Sequence, residues 1–159
     1  MRHRIRAAGI LVDQDRILMV NENERGRSYW VPPGGGFEGK DGNTRHTVKR
    51  EVWEETGLSV VVGDVLFVRE FYEASRDIYH VEPFYLVDQW QGEITLNNLE
   101  PAGAGAGAGA GAEARYISQA RWFTKQELAQ VDVFPPQLKD LLWDKLDQQD
   151  LSILHLGYW

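Results

Sequence analysis

"REVWEETGL" (residues 50–58) places three glutamates and one arginine in nine residues and then stops at a glycine. On an α-helix, positions i, i+3 and i+4 share a face, so Glu51, Glu54 and Glu55 stand side by side. Like charges in that register repel by ~0.2–0.5 kcal/mol per pair. Arg50, about 100° round the helix from Glu51, relieves only part of this. One reading is a solvated helix face. The other is a site for a hard divalent cation, because Mg²⁺ takes oxygen ligands and is commonly held by a few carboxylates together with water and substrate phosphate.

The residues around this stretch favour the second reading. Asn43 or Thr44 can cap a helix that runs without proline or glycine to Thr56, and Gly57 suits its C-terminal left-handed position. Val48 and Val52 fall on one side of that helix and can pack inward. Upstream lies "VPPGGGFEGKDGN" (residues 31–43). Its prolines fix the backbone and its glycines free it, so bare main chain can approach a ligand closely.

Further out, the chain reads as strands with helices between and after them. "RIRAAGILV" and "RILMVNE" are β-rich runs on either side of "DQD", and they predict an antiparallel hairpin turning at residues 13–15. A short strand is expected at residues 29–31. "LSVVVGDVLFVREFYE" reads as one or two strands. "IYHVEPFYLVDQW" reads as another, with Pro83 pointing to an edge or a bulge. "RYISQARWF" is a further strand, with Arg121 to Phe123 in the core. "TKQELAQV" is a short helix capped by its threonine, and "PPQLKDLLWDKLDQQ" opens a helix on prolines, with Leu138, Leu141, Leu142 and Leu146 at helical spacing. The order predicts an α+β fold with a mixed sheet, in a single domain over residues 1–159. "PAGAGAGAGAGAEA" (residues 101–114) is a low-complexity Gly-Ala loop, either native or a replacement for another segment.

Composition narrows the functional classes. The 159 residues are 43% hydrophobic and 26% charged, with a net charge of −7. That balance argues against non-specific nucleic-acid binding through a basic surface. Without cysteine there is no disulfide, thiolate zinc site or cysteine nucleophile. No apolar run approaches the ~20 residues of a membrane span. The N-terminus reads as a strand, not a signal peptide. A cytoplasmic protein with no membrane partner is the expectation.

"GGGFEGKDGNTRHTVKREVWEETGL" (residues 34–58) resembles the Nudix box. That signature is a glycine, five residues, a glutamate, seven residues, then Arg-Glu-aliphatic-any-Glu-Glu-any-Gly-aliphatic. Arg50, Glu51, Val52, Glu54, Glu55, Gly57 and Leu58 match its second half at every defined position. The first half departs from it. Counting back from Arg50 gives Gly36 and Gly42. Aligning on "PGG" gives Gly35 and Asp41, with one extra residue before Arg50. The second alignment is preferred because Asp41 keeps a carboxylate that can orient Arg50.

The resemblance implies the Nudix fold, a mixed β-sheet sandwiched between α-helices. It also implies metal-dependent hydrolysis of a nucleoside diphosphate derivative by attack of water on phosphorus. A nucleotide sugar, ADP-ribose, a nucleoside triphosphate or a dinucleoside polyphosphate all remain open as the substrate. Glu51, Glu54 and Glu55 would be the Mg²⁺ or Mn²⁺ ligands, joined by the Gly35 carbonyl, and Arg50 would hold the carboxylates in place. Gly35 and Gly36 would border the substrate. Many relatives are homodimers, so a dimer is a further expectation.

Several other residues carry two readings each. Glu100 and Glu113 flank the Gly-Ala stretch, as a general base or as plain loop polarity. Arg25 and Arg27 either meet a phosphate or are solvated loop charges. Tyr29 and Trp30 either stack on a base or pack in the core. His80 and Glu82 share one strand face, which lines the pocket if His80 binds substrate and is structural otherwise. Two rival functions share the fold: a non-catalytic nucleotide-metabolite sensor, and removal of pyrophosphate from RNA 5′ ends. The complete glutamate set and the lack of an appended domain count against the first. The absence of a basic patch counts against the second. An isomerase of the isopentenyl diphosphate type is disfavoured by the lack of cysteine.

Overall fold

The computed structural model describes residues 1–99, 115–149 and 152–157. The Gly-Ala stretch, with Glu100 and Glu113, lies outside the described residues.

Among the described residues, two sheets and three α-helices form the fold. In the first sheet, β1 (Arg2–Ile10) pairs antiparallel with the short β5 (Gly34–Gly36) and parallel with β7 (Ile78–Gln91). β7 pairs antiparallel with β6 (Ser59–Glu73), and β6 pairs parallel with β9 (Leu154–Gly157). The sheet is therefore mixed, in the order β5-β1-β7-β6-β9. In the second sheet, β3 (Arg16–Glu24) pairs antiparallel with β2 (Val12–Asp13), β4 (Arg27–Val31) and β8 (Tyr116–Thr124). The helices are α1 (Thr44–Thr56), α2 (Lys125–Ala129) and α3 (Leu141–Gln148). Among the described residues, no helix is long and apolar enough to cross a membrane.

Alternation along β1 divides the interior. Ala7 and Leu11 join Val48 and Val52 of α1 in one core. Ala8 and Ile10 join Phe67, Phe84, Phe123, Leu138 and Leu142 in the other. Helix α1 forms as its sequence requires. The Asn43 side chain caps it by accepting from the His46 N–H at 3.1 Å. Gly57, at φ +78°, closes it in the left-handed region that favours glycine.

Four expectations need correction. The first hairpin shrinks to the two residues of β2: the chain leaves the first sheet at Leu11, and β1 pairs with β5 and β7 rather than β3. Hydrophobic alternation marks both runs as strands but does not say which partner each one takes. β7 is an interior strand, so of the two readings of Pro83 the edge fails and the bulge stands: the β6–β7 register shifts between Val65 and Phe67, beside the Val68↔Pro83 pair. Its pairing with β1 runs to Ile5↔Val81 and resumes in the same register at Ala8↔Phe84, skipping the position where Pro83 has no N–H to give. The "PPQLKDLLWDKLDQQ" helix is broken at Asp140 into a 3₁₀ turn (Pro136–Lys139) and α3. Arg121 is not in the core with Phe123: its side chain is 49% exposed and pairs with Glu127 Oε1 at 3.2 Å.

Candidate active site

The loop between β5 and α1 is organised by Asp41. Its side chain is almost fully buried and accepts from Arg50 twice, Oδ1 from Nε at 2.8 Å and Oδ2 from Nη2 at 3.0 Å. Oδ2 also accepts from the Thr47 hydroxyl at 2.9 Å and the Glu38 N–H at 3.0 Å. The hydrogen bonds from Arg50 are the main reason that this carboxyl lies far below the usual carboxylate range, against the opposing effect of burial. Asp41 thus holds Arg50, as the "PGG" alignment expects. The turn between Asp41 and the helix cap passes through Gly42 at φ +72°, a conformation that glycine adopts without strain.

Arg50 is the hub of the helix face. Nη2 donates to the Gly36 carbonyl at 2.9 Å. Nη1 donates to Glu51 Oε1 at 2.8 Å and to Glu54 Oε2 at 3.3 Å. This one guanidinium offsets the repulsion between Glu51 and Glu54, its own neighbour and its i+4 partner on the helix, but does not contact Glu55. Glu55 points into the fold, and its Oε2 accepts from the Gly34 N–H at 2.9 Å. Burial, then the Glu51 charge, raises the Glu55 carboxyl well above its ordinary range. Burial likewise raises Glu51, with Arg50 opposing.

Gly35 lies directly against Glu51. A Cβ there would overlap the Glu51 carboxylate as it is placed, so a side chain at this position would push that carboxylate aside. This close approach also brings the oxygen donors of loop and helix together. All the candidate donors are oxygens, which suits a hard divalent cation. As arranged here, Glu51 and Glu54 are turned to Arg50 and Glu55 to Gly34. Among the described residues, no three His, Asp or Glu side chains converge as a ready metal cluster.

A second group of charges was largely missed by sequence reasoning. Arg6 and Arg69 share Glu82, at 3.2 and 2.9 Å. Arg6 also donates to the Gly34 carbonyl at 3.4 Å, which ties this group to the box loop. The Arg69 guanidinium lies between the rings of Phe71 and Phe134, at 4.5 and 4.3 Å from their centroids. Nearby, buried Glu22 accepts from Tyr29 Oη at 2.7 Å and pairs with Arg115 Nε at 2.6 Å. The one signal available in the sequence was the shared strand face of His80 and Glu82.

The remaining expected residues are placed as follows. His80 is buried, stacks on Phe71 with centroids 4.3 Å apart, and lies 3.1 Å from Glu73 Oε2. Trp30 packs edge-on against Phe123. Tyr29 meets Phe134 edge-on and binds Glu22. Arg25 and Arg27 are exposed at the β3–β4 hairpin, where Arg27 stands opposite Glu24, and no described side-chain contact joins either to Arg50 or the box glutamates.

The comparisons agree with the fold. A family model described as NUDIX domain matches residues 2–142. The chain therefore belongs to the Nudix family. A MutT-like protein of Streptomyces ambofaciens is 39% identical over 64 residues, a stretch that covers 40% of this chain and 40% of that relative. The solution structure of the E. coli ORF135 protein superposes with a TM-score of 0.70 at 17% identity, covering 96% of each chain. A MutT NUDIX hydrolase from Burkholderia pseudomallei gives 0.66 at 21%, covering 87% of this chain and 96% of its own. At these identities the two structures speak for the fold alone.

Proposed function

We propose that the protein hydrolyses the pyrophosphate linkage of a nucleoside diphosphate derivative, with Glu51, Glu54, Glu55 and the Gly35 carbonyl as ligands for Mg²⁺ or Mn²⁺. The observation that carries this reading is the Asp41–Arg50 pair, which holds Glu51 and Glu54 together beside the glycine strand that Glu51 touches at Gly35. A divalent cation bound there would neutralise phosphate charge and lower the pKa of an attacking water. The chain's own residues do the rest. Asp41 fixes the Arg50 guanidinium, and Arg50 orients Glu51 and Glu54 toward the loop. Glu55 accepts from the Gly34 N–H, which ties the helix to the loop that would face the phosphates. Gly35 and Gly36 offer bare backbone to the phosphates, and His80 with its neighbours on the first sheet lines the substrate side.

The substrate is a small nucleotide of the class that includes nucleotide sugars, ADP-ribose and nucleoside triphosphates. A product-release assay over such a panel, with Mg²⁺ and separately Mn²⁺, tests the proposal. Metal-dependent release from at least one compound is expected. Binding of a nucleotide without turnover of any panel member would instead support the sensor reading.

A further inference from the structure

The face of the first sheet that carries Ala8, Phe84 and Phe67 into the core continues, beyond the apolar residues, as two charged rows. Arg6, Glu82 and Arg69 lie across β1, β7 and β6 and are joined by their ion pairs. One step further along come Arg4, His80 and Phe71, with Arg4 opposite His80 and His80 opposite Phe71. In the first row every charge has a partner. In the second, Arg4 makes no side-chain hydrogen bond or ion pair among the described residues, although it is half-buried. Its guanidinium is disfavoured by burial and by the positive charges of Arg6, Arg115 and Arg76, with only Glu82 opposing.

A half-withdrawn cation facing other cations has lost solvation without gaining a local partner. The position of Arg4 supplies a reason for this. Arg6 stands opposite Gly36 in the β1–β5 ladder, so it marks the level of the box loop. Arg4 projects from the same face two residues away, ~7 Å further along the strand. An anion that extends past the box along this face would meet Arg4 next. A planar guanidinium suits phosphate oxygens better than most groups do.

We propose that Arg4, supported by Arg6 and Arg115, forms an anion subsite for a terminal phosphate of the substrate, beyond the pyrophosphate held at the glutamates. The subsite rests on the hydrolase reading for its place in catalysis, but its anion-binding chemistry can be tested separately. It favours nucleotides that end in a free phosphate, whose charge is about −1.5 to −2 at neutral pH, over those whose last phosphate is capped by a sugar.

Two measurements decide it. In the first, inorganic phosphate is titrated into the protein without divalent metal at low ionic strength, and binding is followed by NMR. Arg4→Gln should weaken binding about tenfold, the scale of one charge-assisted contact, and Arg4→Lys should recover most of the loss. Equal binding by wild type and Arg4→Gln overturns the subsite. In the second, Arg4→Gln is assayed with Mg²⁺ on a nucleoside triphosphate and on a nucleotide sugar. KM should rise about tenfold for the first and clearly less for the second, with kcat nearly constant. An equal rise for both overturns the terminal-phosphate assignment. If neither compound is hydrolysed by wild type while phosphate binding still depends on Arg4, the subsite stands and the hydrolase reading falls.

Discussion

The carboxylate face of α1 and the charged face of the first sheet gather the same chemical groups, yet they are wired differently. At α1, Arg50 distributes its donors over Asp41, Gly36, Glu51 and Glu54, all within a short span of chain. On the sheet face, Glu82 is a single carboxylate shared by Arg6 and Arg69, which reach it from two other strands. A many-partnered hub tolerates the loss of one acceptor. A shared buried acceptor does not, because its removal leaves two cations without it. The glutamates at α1 are thus free to serve chemistry, while Glu82 is committed to holding strands together.

The largest expected effect lies on the catalytic side of that contrast. Glu54→Gln should lower turnover by about 100-fold or more, since losing even an outer partner of a metal site typically costs ~10–100-fold. The fold should survive, because Arg50 keeps its other acceptors. Mg²⁺ should raise the melting temperature of wild type through binding to the native state, and raise that of the variant less. Chelation should remove the difference. Near-normal turnover in Glu54→Gln would take this residue out of the metal site.

Glu82→Ala sharpens the comparison from the other side. Leaving Arg6 and Arg69 without their common carboxylate should destabilise the protein by ~3–5 kcal/mol, read from urea unfolding. Replacing Glu82 and Arg69 together by apolar residues should recover part of the loss. If Glu82→Ala unfolds at the wild-type midpoint, the shared-acceptor account is wrong.

Asp41 lies between the two cases, because it is buried and yet feeds the hub. Asp41→Asn should cost ~2–3 kcal/mol and reduce activity moderately. The sign of its pH dependence follows from its depressed folded-state pKa. The stabilisation is fully present above the unfolded value of about 3.9, and is lost as the pH falls from there through the lower folded value. The gap between wild-type and Asp41→Asn unfolding midpoints should therefore be constant from pH 8 to 5 and narrow below pH 4. A gap that widens in acid would contradict the Asp41–Arg50 pair as its source.

The two regions also differ in how much of each could be read before any fold was known. The box helix was legible because its logic is local: Glu51, Glu54 and Glu55 share a face by helical spacing, and Asn43 and Gly57 mark its ends. The Asp41 assignment followed from requiring a carboxylate near Arg50. The sheet face was not legible, because Arg6 meets Glu82 across 76 residues and Glu22 meets Arg115 across 93. No spacing rule spans such separations, and only strand order brings them together. The same limit explains the first hairpin. Periodicity found β1 and β3, but the crossing at Leu11 depends on which partner completes each core.

Arg27→Ala should have the smallest effect. Sequence order places Arg27 just before the box, which is why it stood as a candidate for substrate contact. In the fold it is exposed at the tip of a hairpin on the second sheet. Its removal should change stability by no more than ~0.5 kcal/mol, as at most surface positions. What remains to it is long-range attraction of an anionic substrate to an acidic protein, which salt screens within ~10 Å at 0.1 M. KM should thus rise about twofold at low ionic strength and converge with wild type as salt is added, with kcat unchanged. A salt-independent rise, or a fall in kcat, would mean that the hairpin tip contacts the substrate directly, and would give the second sheet a part in recognition that its described contacts do not suggest.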